Sequence, residues 1–140
     1  AGSALEVTPA GGFGVSAAIC YDLRFPELFR ALAFRGATLV VVPANWPIPR
    51  IGAWSHLLVA RAMENQCFVV GVNRVGSGAG LDYNGCSAIV DPMGEVLASG
   101  VDTQQVIVAD VDPGRVAQVR AELPFLGDAR RDLFGGLWSD

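Results

Sequence analysis

Residues 13–36 read FGVSAAICYDLRFPELFRALAFRG, and the reading of this stretch decides the fold. Residues 13–20 are a nearly continuous apolar run, which reads as a buried strand even though Ala and Gly dilute it. Residues 26–35 place Leu28, Phe29 and Leu32 on one helical face, open with Pro26 at the first helical position and stop at Gly36. A strand therefore hands over to a helix within a few residues, with Cys20 at the joint.

The same alternation continues. Residues 38–43, TLVVVP, are β-branched and apolar throughout, the pattern of a strand covered on both faces. Residues 44–52 hold too much Pro and Gly for regular structure, and 53–66 carry Trp54, Leu57, Leu58 and Ala62 at helical spacing. A third strand is expected at 67–73, a glycine-rich loop at 74–83, and a hairpin at 86–99 turning on Asp91, Pro92, Met93 and Gly94. Residues 105–111, QVIVADV, read as the strand that closes the sheet, and Asp112 as the cap of a helix over 113–123. The tail 124–140 reads as irregular and aromatic. The order β-α-β-α-β-β-β-α predicts an α/β layered domain.

Composition narrows the function classes. With 140 residues there is one domain at most. No apolar run is long enough for a membrane span and no segment resembles a signal peptide, so a cytoplasmic location is expected. A formal net charge of -4 with singly scattered arginines argues against nucleic acid as a partner. Cys20, Cys67 and Cys86 form no CxxC pair, which argues against a disulfide framework and a zinc site. Only 17% of residues are charged, against about 25% in a typical soluble domain, so something else is expected to cover part of the surface. All 10 of the basic residues are arginine and none is lysine.

Cys20 stands where α/β proteins gather reactive groups, at a strand end with a helix about to start. Free N–H groups and the positive dipole end favour a thiolate and can stabilise an oxyanion. Position alone leaves a second reading open, a small buried hydrophobe. For Cys67 and Cys86, which start strands among apolar neighbours, the hydrophobe is the favoured reading.

The segments 19-ICYDLRFPEL-28, Pro43-Ala44-Asn45-Trp46, 60-ARAMENQ-66, Gly71-Val72-Asn73-Arg74-Val75-Gly76 and 85-GCSAIVDPMGEVLA-98 together resemble the C-terminal half of the nitrilase superfamily of carbon-nitrogen hydrolases. Within it, 45-NWPIPR-50, 53-AWSHLLVARAMENQ-66 and 73-NRVG-76 are similar to the omega-amidase branch, which acts on 2-oxoglutaramate and related short dicarboxylic monoamides. The resemblance implies part of an α-β-β-α sandwich and a Glu-Lys-Cys amidase mechanism without metal or organic cofactor. Cys20 matches the nucleophile and the Tyr21 N–H the backbone oxyanion donor. The glutamate and lysine of the family lie upstream of the cysteine motif; Glu6 is too close to match, and lysine is absent. Residues 1–140 are therefore expected to be the C-terminal part of a longer single domain, inactive alone. The alternative is a catalytically silent binding or assembly module that keeps the fold.

Other candidates follow from position. Asn45 and Trp46, after a strand's C-terminal end, are expected to line the substrate pocket. Asp22, Arg24 and Glu27 are expected to fix the turn through an Arg-carboxylate pair, and Glu64 to pair with Arg61 one turn away. Arg50 or Arg74 is the candidate for a substrate carboxylate. His56 falls between the apolar positions of its helix and reads as solvated, against a Cys-His hydrolase. Gly76, Gly78 and Gly80 lack the GK[ST] and the helix of a phosphate loop. A homo-oligomer, built through the helical face and the tail, is expected.

Overall fold

The computed structural model describes residues 2–134. In chain order these residues form β1 (Thr8–Ala10), β2 (Phe13–Ala17), α1 (Pro26–Phe34), β3 (Leu39–Ala44), α2 (Ile51–Asn65), β4 (Phe68–Asn73), β5 (Val75–Gly78), β6 (Leu81–Asn84), β7 (Ala88–Val90), β8 (Val96–Ser99), α3 (Pro113–Glu122) and α4 (Arg131–Phe134). Short 3₁₀ turns at Cys20–Arg24 and Ile48–Arg50 precede α1 and α2. One sheet runs in the order β1-β2-β3-β4-β7-β8, and β5 and β6 make a separate ribbon. The strands β2, β3 and β4 are parallel. Parallel neighbours need crossovers, which α1 and α2 supply.

The helices cover one face of that sheet. Pairing Val40 with Val69 and Val42 with Gly71 sets these four residues on the same side. There they join Phe29 and Leu32 of α1 and Trp54, Leu58 and Ala62 of α2 in the core. Burial of each large side chain stabilises the fold by roughly 1.5–3 kcal/mol. Gly71 is small because a Cβ would run into Leu58 and Trp54. At the sheet end where β3 and β4 begin, Arg120 of α3 donates to the carbonyls of Ala37 at 3.0 Å, Asn65 at 3.2 Å and Gln66 at 3.2 Å. The opposite end, where β2, β3 and β4 finish, is left for the site.

Both helix starts and stops expected from sequence are present: Pro26 opens α1, Gly36 follows it with φ 95, and the Asp112 carboxylate accepts from the Gly114 N–H at 2.8 Å. The Asp91 turn forms as well, its Oδ1 accepting from the N–H groups of Met93 and Glu95, both at 2.8 Å. Six expectations need correction. Residues 8–10, unassigned from the pattern, pair with β2 across Gly11 and Gly12, whose φ values of 57 and 85 make the reversal. The first strand ends at Ala17, short of residue 20, and α2 begins at Ile51 inside the segment read as irregular. Residues 74–83 form the β5-β6 ribbon, because Ala79 and Gly80 both adopt left-handed φ, 52 and 73, and close a two-residue turn. Residues 105–111 pair with no strand among the described residues; Val106 is 89% and Val108 80% exposed. Finally, the second face of β3 and β4, away from both crossover helices, is covered only in part: Phe68 is buried there against Phe13, while Val72 is half exposed. Residues 135–140 of the tail, Trp138 included, lie outside the described residues.

Candidate active site

Cys20, Asn45 and Asn73 follow or end β2, β3 and β4 respectively, so three consecutive parallel strands deliver them to one rim. Cys20 is half-buried and adopts φ 48, the left-handed region that a Cβ disfavours. Such strain costs about 1–3 kcal/mol and persists where the surroundings enforce it. Here the following turn enforces it. The Asp22 carboxylate accepts from the Ile19 N–H at 2.8 Å, and the Asp22 N–H donates to the Ile19 carbonyl at 2.9 Å. The N–H groups of Cys20 and Tyr21, the first of the turn, donate to no acceptor among the described residues. They are the unpaired donors expected at a helical start, placed beside the thiol.

Two cavities meet at Cys20. A small one of about 110 Å³ is lined by Cys20, Tyr21, Arg24, Asn45, Trp46, Pro47 and Arg50. A wider, open cleft of about 510 Å³ adds Ile19, Pro43, Val72, Asn73 and Arg74. Asn45 is exposed and lines both. Trp46 is buried and forms a wall: its ring lies 5.6 Å from that of Trp54, and its indole N–H donates to the Arg50 carbonyl at 2.7 Å. The structure thus brings Cys20, Tyr21, Asn45 and Trp46 together.

The expected Arg-carboxylate pair in the turn is absent among the described residues. Asp22 is engaged with the Ile19 N–H, and the Arg24 guanidinium lies 4.8 Å over the Trp46 ring and 5.8 Å from that of Tyr21. Two aromatic rings, not a carboxylate, neighbour the guanidinium. The Arg61–Glu64 pair does form, at 2.9 Å, and the buried Arg61 also donates to the Leu23 carbonyl at 3.1 Å, pinning α2 to the floor of the Cys20 turn. His56 is exposed and its Nδ1 lies 2.6 Å from the Gly52 carbonyl, away from the cleft lining.

Asn73 was missed from sequence as a site residue. It is buried and fastens Trp46 by two hydrogen bonds while donating a third to the Gly85 carbonyl at 2.7 Å. The signal was there, an amide ending the apolar run CFVVGVN. The other two thiols are sited differently. Cys67 is buried, and burial pushes its pKa up to about 12. Cys86 is half-buried and engages Trp54, whose indole N–H donates to the Cys86 carbonyl at 2.8 Å.

A model of the carbon-nitrogen hydrolase family matches residues 2–121. The chain belongs to the carbon-nitrogen hydrolase family. It is 43% identical over 123 residues to the 2-oxoglutaramate amidase of Bacillus subtilis strain 168, covering 88% of this chain and 48% of that protein. To an omega-amidase of Escherichia coli strain K12 it is 41% identical over 132 residues, covering 92% and 50%. Among solved structures it is similar, with a TM-score of 0.85 and 31% identity, to a mutant amidase from Nesterenkonia sp. AN1 with the acetamide moiety of fluoroacetamide covalently added at its active-site cysteine; 98% of this chain and 49% of that one are covered. This carbon-nitrogen hydrolase chain spans about half the length of the curated relatives it matches.

Proposed function

We propose that the protein carrying this chain is a cysteine-dependent amidase acting on short dicarboxylic monoamides such as 2-oxoglutaramate. The observation that carries the reading is the seat of Cys20: a half-buried thiol in a left-handed conformation, beside unpaired N–H groups, at the meeting of two cavities. The names of the relatives support the substrate class. In this reading the Cys20 sulfur attacks the amide carbon and forms a C–S bond. The oxyanion that results is held by the Tyr21 N–H, the C–N bond breaks with a proton delivered to nitrogen, and ammonia leaves. Water then attacks the thioester, returning the thiol and releasing a carboxylic acid.

The proton-transferring glutamate and the oxyanion lysine of this mechanism are assigned to upstream residues of the whole protein, since these 140 residues contain no lysine. Asn45 and the Trp46 wall position the substrate. The reading extends to a cytoplasmic homo-oligomer. Among the described residues no helix is long and apolar enough to cross a membrane, the three cysteines are free, and Met63, Met93, Leu123 and Phe125 line an apolar groove of about 430 Å³ beside α2.

The test uses the whole protein and measures ammonia release together with the intact mass after a rapid quench. Turnover with an acyl adduct on Cys20, both lost in Cys20→Ala and retained in Cys67→Ala and Cys86→Ala, is expected. No turnover of any amide would leave the chain as a silent module that keeps the fold.

A further inference from the structure

We propose that Arg24 is the residue that receives the distal carboxylate of the substrate, an assignment that rests on the monoamide reading above and makes it specific. Three arginines border the cleft, and their surroundings separate them. Arg74 is committed to the β5-β6 ribbon: its guanidinium lies 4.8 Å over the Tyr83 ring and donates to the Ser77 carbonyl at 2.8 Å. Arg50 is exposed, and its part in the wall is played by its backbone carbonyl, which accepts from the Trp46 indole. Arg24 is half-buried, lines the small cavity with Cys20, and makes neither a hydrogen bond nor an ion pair among the described residues.

What holds Arg24 is a pair of cation–π contacts. Its guanidinium sits 4.8 Å over Trp46 and 5.8 Å from the centre of the Tyr21 ring. These contacts engage the charge of the guanidinium, and none of its N–H groups is taken by a hydrogen bond or ion pair among the described residues, so they are available to grip a carboxylate in a two-pronged fashion. The platform is itself fixed, because Trp46 is held through its N–H, its carbonyl and its indole by Asn73 and Arg50. A cation so placed loses little freedom on binding, which raises affinity. Cys20 and Arg24 stand four residues apart on one turn, so the reacting carbon and the distal carboxylate are held by the same short segment.

Succinamate and butyramide differ only in a carboxylate replacing a methyl group, and kcat/KM for the two, measured on the whole protein, tests the assignment. The wild type is expected to favour succinamate. Arg24→Met is expected to reduce that preference about 10- to 100-fold, mainly through KM, and to weaken succinate as a competitive inhibitor of butyramide hydrolysis. Arg24→Lys is expected to lose a smaller factor, since a point charge replaces the fork, and it carries the test if Arg24→Met does not fold. A preference that survives both changes overturns the assignment. Equal losses on both substrates also overturn it, by marking a structural role, as does a preference that collapses in Arg50→Met and not in Arg24→Met. A wild type indifferent to the carboxylate overturns the monoamide reading itself, and the assignment with it.

Discussion

Asn73 grips the peptide of Trp46 from both sides, accepting from its N–H at 2.7 Å and donating to its carbonyl at 3.0 Å. One amide at the end of β4 thereby fixes the loop that leaves β3, and with it the wall beside Cys20 and the ring under Arg24. Asn73→Ala leaves the Trp46 N–H and carbonyl without partners in a buried setting, and each such group costs about 1–3 kcal/mol. A urea midpoint lowered by a matching free energy is expected, and an unchanged midpoint would show that the loop is held otherwise.

Glycines 52 and 71 are expected to respond with opposite signs to alanine. A Cβ on Gly71 would meet Leu58 and Trp54, and overpacking of this kind costs about 1–3 kcal/mol. Around Gly52 in the first turn of α2 there is open space and no left-handed φ, so alanine there restricts the unfolded chain and adds about 0.4–1 kcal/mol. Thermal melts of the two variants, compared with wild type, decide the matter; a stabilising Gly71→Ala would contradict the packing of α2 on β4.

The buried Cys67 predicts an alkaline loss of stability. Its thiol is pushed up to about 12 in the fold by burial, whereas an unfolded cysteine titrates near 8.5. The fold therefore holds the proton more tightly than the unfolded chain. The resulting stabilisation is complete below about pH 8.5 and is lost as pH rises toward the folded value. Denaturation series between pH 8 and 11 should show a decline that is shallower in Cys67→Ala. At pH 8, iodoacetamide and peptide mapping should find Cys20 modified and Cys67 untouched until denaturant is added.

Residues 1–140 made alone should show uncovered apolar surface. Val72, Val106 and Val108 are half or more exposed, as are Ile19 and Tyr21 at the rim of the cleft. Each large apolar side chain left in water forgoes roughly 1.5–3 kcal/mol of burial, in domains whose whole stability is about 5–15 kcal/mol. Binding of a hydrophobic dye and self-association in sedimentation are the expected results. A monomer with a sharp melt and no dye binding would mean that the exposed surface is tolerated.

What the sequence determined by itself was the local grammar. Pro26 and Gly36 bracket α1, Asp112 caps α3 and Asp91 nucleates the β7-β8 turn through bonds spanning two to four residues, so the reason for each lies within the window that displays it. The seat of Cys20, between a strand and a helix, was legible for the same reason. The tertiary structure decided what depends on groups far apart in the chain. Asn73 meets Trp46 across 27 residues, and only the parallel register of β3 and β4 brings them together. Arg24 chose ring faces over Asp22 or Glu27 because the fold carried Trp46 to it. Residues 105–111 have the β-branched apolar run of a strand, yet a strand exists only when a neighbour takes up its N–H and carbonyl groups, and among the described residues none does.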